Sequence, residues 1–327
     1  MDDTQIQAAV RRADLDELLR LIDTLCDDQA WDALATLRER CRHAHETGRQ
    51  LWPAASHAAY RLALEAPAPW AAAVLVDDPA QFSLGPLPEV AAQAHTWNEL
   101  APHVPASAAS VIAAHERVVR GEDLADLQLA GPAVLELPRR LASWEPEYCL
   151  AEYRRDKTDF PAPVVSGYES VSLPDTPPTR GHDEACTALV ELARVWTAQS
   201  NGRADAVVVD GTAVDAIGAL GPRDIRAVEV DLSIAFALMA WTGASGGAHG
   251  RRPGAASGRF AAWWAGGALT GLLDDWPPEP DRLGDGLRSL QYVAWDAAER
   301  TTGWRLQLAI EDASRGRAWA VTALDAA

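Results

Sequence analysis

Trp304-Arg-Leu-Gln-Leu-Ala-Ile-Glu311 is the stretch that decides the fold class. Trp304, Leu306, Leu308 and Ile310 fall on every second position, with Arg305, Gln307 and Glu311 between them. A period of two is that of a strand with one face on a core and one toward water. Asp312-Ala-Ser-Arg-Gly316 supplies a turn, Trp319 and Val321 continue on the returning strand, and Leu290–Trp295 precedes the pair. The chain is therefore expected to end in a three-stranded antiparallel meander packed by one face on helices.

Outward from this meander the period changes. Thr187–Gln199, Ala213–Leu220, Val230–Trp241 and Phe260–Leu273 read as helices, and Ala204–Asp210 as a buried strand that turns at Gly211. Residues 182–327 are thus expected to form an α+β domain. Between Leu127 and Arg180 prolines recur at 132, 138, 146, 161, 163, 174, 177 and 178, so 126–181 reads as an irregular connector. Short extended pieces are expected near Tyr148–Tyr153, and 166–180 resembles a linker.

Residues 1–125 read as a mainly α-helical N-terminal domain. Asp14 can cap a helix whose inner face carries Leu15, Leu18, Leu19 and Ile22. Trp31, Leu34, Leu37 and Cys41 mark the next, ending near Gly48. Pro53 and Pro69 suit the first turns of two more, and 107–120 forms a helix closed by Gly121. Trp31, Trp70 and Trp97 each open an apolar helical face. Two arrangements fit: a plain bundle with the tryptophans in its core, or a short helical repeat with a binding surface. The whole is α+β, with the smaller mixed domain at the C-terminal end.

Composition narrows the function classes. The chain of 327 residues has a formal net charge of −18. That balance argues against non-specific binding to nucleic acid or to an anionic membrane surface. No run of 18 apolar residues occurs. Cys26, Cys41, Cys149 and Cys186 are scattered without a Cys-x-x-Cys pair, so they read as reduced, mostly buried thiols. Cys41-x-His43-x-His45 has metal-like spacing, but on a helix His43 faces away from the other two, and no metal is expected. The opening residues carry no secretory pattern, so a cytoplasmic location is expected, and the Ala/Arg/Asp-rich usage suggests a bacterial source.

The candidate site is Gly243-Ala-Ser-Gly-Gly-Ala-His-Gly-Arg-Arg-Pro-Gly-Ala-Ala-Ser-Gly-Arg259, which holds three arginines and no acid inside an acidic protein. Its Gly-x-Ser-x-Gly segment around Ser245 matches a nucleophile elbow in letters. The preceding stretch reads as helix rather than strand, and no histidine follows the next acid in hydrolase order. The spacing of a phosphate-binding P-loop or of a dinucleotide fingerprint is also absent. An anion nest remains: backbone N–H groups around Gly246, Gly247 and Gly250, with His249, Arg251, Arg252 and Arg259 as side-chain donors. Alternatively the segment is a solvated loop, or a clamp whose arginines pair with acids.

The leading expectation is a cytoplasmic binding or scaffold protein, with a protein partner on the helical half and an anionic group at 243–259. The alternative is an enzyme acting on a phosphorylated or carboxylated small molecule, with His249 as acid/base and Asp210, Glu229 or Asp231 as acids that could face it. No cofactor is expected. Arg139-Arg140 and Arg154-Arg155-Asp-Lys157 lie near Trp144, Tyr148 and Tyr153, but a solvated, ion-paired role suits them better than base stacking. Of the neighbours Trp263 and Trp264, one is expected in the core and one in a groove.

Overall fold

A computed structural model describes residues 3–46, 48–76, 83–176, 178–297 and 303–326. The chain divides into two compact units: Met1–Val134 with Ala151–Phe160, and Leu135–Leu150 with Pro161–Ala327. The proline-rich stretch expected as a connector is thus shared between them.

The first unit holds α1 (Asp3–Arg12), α2 (Leu15–Asp27), α3 (Trp31–Glu46), α4 (Trp52–Glu65), α5 (Ala68–Ala73) with a tight 3₁₀ turn at Val74–Val76, α6 (Leu87–Ala94), α7 (Trp97–Leu100) and α8 (Ala108–Val119). A two-residue ladder, β1 (Glu152–Tyr153) with β2 (Thr158–Asp159), completes it. Local signals set the helix starts. The Asp14 carboxylate accepts the Glu17 N–H, Ser107 and Ser110 form a capping box, and prolines occupy the first turns of α4, α5 and α6. Helices pack on alternate as well as adjacent neighbours: α1 on α3, α2 on α4, α4 on α6, α5 on α7 and α6 on α8. Leu18, Ile22, Leu34, Leu37, Ala58, Val90 and Val118 lie buried in this unit.

Residues 151–160 join the first unit through polar contacts that leave few buried groups open. The Gln93 amide takes both backbone groups of Tyr153, at 2.7 and 2.9 Å, and Tyr153 Oη donates to the buried Glu89 at 2.6 Å. The basic cluster here is ion-paired, Arg155 with Asp27 and Glu65, and Arg154 with Glu152. Trp144, Tyr148 and Tyr153 are all buried, so none offers a face to a nucleobase.

The second unit holds β3 (Glu169–Val171), α9 (Glu184–Glu191), α10 (Arg194–Gln199), β4 (Arg203–Asp210), α11 (Ala213–Leu220), β5 (Ile225–Val230), α12 (Leu232–Ala244), α13 (Ala255–Thr270), α14 (Pro280–Arg288), β6 (Gln291–Ala297), β7 (Trp304–Asp312) and β8 (Arg317–Asp325). The expected meander is present as β6-β7-β8, and it is the centre of a six-stranded antiparallel sheet in the order β3-β5-β6-β7-β8-β4. The stretch resembling a linker contributes β3, which pairs Glu169 with Ala227.

Both faces of the sheet are covered, where the alternation in β7 suggests one. Ala309, Ala318 and Ala320 lie on the second face with Val207, Val209 and Trp295, and these small residues let α11 settle close with Ala213, Ala216 and Ile217. The first face carries Leu308, Ile310, Trp319 and Val321; α12 packs on β6 and β7, and α9 on β4 and β8. Asp183 caps α9 and also accepts from Trp319 Nε1 at 3.0 Å and Arg317 at 2.8 Å, tying the helix to the sheet. Against α12 lies α13, with Gly258 at the crossing: a Cβ there would stand 2.2 Å from the Ala240 carbonyl oxygen.

Candidate functional site

The glycine–arginine segment forms the turn between α12 and α13, and its hydrogen bonds show what holds it. Ser245 ends α12 as its C-cap and is 1% exposed. Its Oγ accepts from Trp196 Nε1 at 2.7 Å and donates to the Thr242 carbonyl. It is a buried capping hydroxyl, which removes the nucleophile-elbow reading.

The loop is held from within by one of the protein's own carboxylates. Asp325, at the end of β8 and 1% exposed, accepts the Ala248 N–H at 2.7 Å through Oδ2 and the Ser200 hydroxyl at 3.0 Å through Oδ1. Ser200 Oγ in turn accepts the His249 N–H at 3.2 Å, and Gln199 Oε1 accepts the Arg251 N–H at 3.1 Å. Three backbone donors of the loop, at Ala248, His249 and Arg251, are therefore taken by a carboxylate, a hydroxyl and an amide. Gly247 is required by this contact. Its φ is +67°, and a Cβ would come 2.1 Å from Asp325 Oδ2. Gly246 and Gly250 face each other backbone to backbone, with no room for a side chain between them.

The three arginines have separate positions. Arg251 is exposed and Arg252 half-buried. Arg259 lies inside α13, which begins at Ala255 rather than at the expected Phe260, and is 1% exposed. Its Nε and one terminal nitrogen grip Glu145 at 2.7 and 2.8 Å, and the carbonyls of Pro138 and Arg140 accept from it at 2.8 and 3.1 Å. Glu145 also accepts from Tyr148, from Trp263 Nε1 at 3.1 Å and from the Ala142 N–H at 2.8 Å. Burial pushes the Glu145 carboxyl up, but the Arg259 hydrogen bonds and charge outweigh it, with help from Tyr148 and Ala142, and hold it below the ordinary carboxylate range. Arg259 is thus a clamp on residues 138–148 and cannot reach a ligand in the loop.

His249 is exposed, and Asp210 is not near it. The loop rests on Asp325, beside the Arg203 end of β4, while Asp210 pairs with Arg317 at the other end. Seven strand steps put the two ends of β4 roughly 24 Å apart. Asp231 caps α12 by accepting the Ile234 N–H at 2.8 Å. The acid/base pair of the enzyme alternative is not assembled.

Other motifs resolve simply. Cys41 is fully buried with its thiol pushed up to about 12 by burial, His43 is exposed, and the His45 side chain lies outside the described residues. Among the described residues no group of three metal-binding side chains occurs. No helix of the described residues is long and apolar enough to cross a membrane. Trp263 is wholly buried. Trp264 is 37% exposed and lines an apolar cleft with Leu192, Val195, Phe260 and Ala261.

A more distinctive surface lies in the first unit, at tryptophans that periodicity assigns to the core. Trp31 opens α3 and Trp70 lies in α5, and both are half-buried. Together with Ile6, Gln29, Asp32 and Thr36 they line a cleft of about 550 Å³. Trp70 Nε1 donates to Asp32 Oδ1 at 3.0 Å, which sets the orientation of its indole. Trp70 also borders a second cleft of about 420 Å³ with Arg38, Glu39 and Arg42 of α3. Trp31 follows the spacing of Leu34, Leu37 and Cys41, so the stripe alone places it inside. Spacing gives a side chain's direction but not how far the covering helices extend. The signal that could have marked it is its place on the first turn, next to Asp32.

The chain belongs to the family of unknown function DUF6183, whose family model matches residues 16–327. No curated protein and no solved structure matches the chain.

Proposed function

We propose that this member of the DUF6183 family is a cytoplasmic binding or scaffold protein that receives a protein partner on its helical unit. The observation that carries the reading is the pair of adjoining clefts along α3 and α5, which share the half-buried Trp70. Partly buried aromatic side chains with an oriented polar tip are characteristic anchors for partner segments. The packing of alternate helices supports a short helical repeat, in which stacked helix pairs present one face for binding. Trp31, Trp70 and Trp97 fall in α3, α5 and α7, alternate helices of that stack. The free cysteines agree with a reducing compartment.

In this reading the 243–259 loop is an internal clamp rather than the anion site. The enzyme alternative gains nothing from a histidine separated from Asp210.

Panning a displayed random-peptide library against the whole protein tests the proposal. Enriched peptides are expected to bind with dissociation constants on the order of micromolar, and to lose at least about tenfold in affinity when Trp31→Ala and Trp70→Ala are combined. A library that enriches nothing, or peptides that bind the double variant equally well, would overturn it.

A further inference from the structure

We infer that the cleft between Trp31 and Trp70 recognises a cationic side chain, a lysine, methylated lysine or arginine of the partner segment. The inference rests on the binding role proposed for the helical unit and adds the chemistry of what enters it.

Asp32 is the one charged residue lining this cleft, and no lysine or arginine lines it. Its carboxylate accepts from Trp70 Nε1 through Oδ1 and forms no ion pair among the described residues. An indole face attracts a cation through the negative face of its quadrupole, and tryptophan does so most strongly among aromatic side chains. Two tryptophans with a carboxylate between them in sequence give a positive head both kinds of attraction. The half-buried Ala30 and Ala33 offer apolar contact for the methylene stem, so the head can seat without stripping its chain of cover. The hydrogen bond from Trp70 holds indole and carboxylate in one arrangement before a ligand arrives, which lowers the ordering cost of binding.

The neighbouring cleft contrasts with this one. There two arginines, Arg38 and Arg42, line the cleft with Glu39, which pairs with both. A segment lying along α3 would therefore place its basic residue at Trp31 and Trp70, and keep basic residues out of the Arg38–Arg42 side. The net charge of −18 assists the approach of a basic segment.

The test titrates the whole protein, ¹⁵N-labelled at the tryptophan indoles, with three blocked amino acids: acetyl-trimethyllysine methylamide, its neutral norleucine counterpart and acetylglutamate methylamide. The trimethyllysine probe is expected to move the Trp31 and Trp70 indole signals saturably, with affinity about tenfold weaker in Asp32→Asn and no saturable shift from the glutamate probe. The substitution retains a carbonyl acceptor for Trp70 Nε1, and an unchanged unfolding midpoint confirms that the cleft is intact. Equal binding of norleucine, or cation binding indifferent to Asp32→Asn, would overturn the inference. Its failure is separable from that of the binding role: peptides enriched in a Trp31- and Trp70-dependent way but lacking a basic residue would remove only the cation.

Discussion

Replacing Glu145 with alanine is expected to destabilise the second unit by about 3–5 kcal/mol, the range found when one partner of a buried ion pair is removed. Arg259 would then keep its charge at 1% exposure with only two carbonyls to receive it. The Tyr148 hydroxyl and Trp263 Nε1 would lose their acceptor as well. For a unit of this size the thermal midpoint should fall by about 2–4 °C per kcal/mol, so the shift is on the order of 10 °C. Arg259→Ala should act similarly. Replacing both by methionine should not restore stability, because the buried Tyr148 hydroxyl and Trp263 Nε1 would still lack the acceptor that Glu145 supplies. Scanning calorimetry of the three variants checks this, and a midpoint within two or three degrees of the parent would show that the network is dispensable. The sign with pH follows from the depressed Glu145 carboxyl. Its contribution is fully present above the unfolded carboxylate range and is lost as pH falls through the lower folded value.

The second large effect concerns Asp325. Asp325→Ala should leave the half-buried Ala248 N–H and Ser200 hydroxyl without their acceptor, at a cost of at most about 1–3 kcal/mol for each. The seat that Asp325 occupies would then be empty and still lined by the Ala248 N–H and the Ser200 hydroxyl. Acetate added at molar excess should refill it and raise the variant's midpoint, while leaving the parent protein's midpoint unchanged, since binding to the folded state alone adds stability. Acetate stabilising parent and variant equally would mean that the loop binds anions independently of Asp325.

These two networks explain how far residues alone led. The meander was legible because β7 alternates over its length, and the helix starts because their caps are local, as at Asp14 and Ser107. Ile225–Val230 and Glu169–Val171 were not read as strands. Short segments near glycines and prolines have little local preference and are strands because β6 and then β5 pair with them. The second buried face of the sheet rests on Ala309, Ala318 and Ala320, residues whose small size is decisive only once α11 is in place.

The glycine–arginine segment shows the same boundary more sharply. Its composition suggests an anion site, whereas its contacts are internal. The acid that holds the loop, Asp325, lies 77 positions from Ala248, and the acid that takes Arg259 lies 114 positions away. Neither distance is visible in the segment itself. The tryptophan cleft was hidden for another reason: spacing turns Trp31 toward the core, but does not show how much of it the neighbouring helices cover, and Trp70 joins it from 39 positions away.

Hydrogen–deuterium exchange of the whole protein, with and without the tightest peptide from the library, tests most directly that the ligand surface belongs to α3 and α5 rather than to the glycine–arginine loop. Protection is expected over residues 29–36 and 68–74, with exchange at 245–254 unchanged. Protection confined to 245–254, with the two helices unaffected, would contradict it.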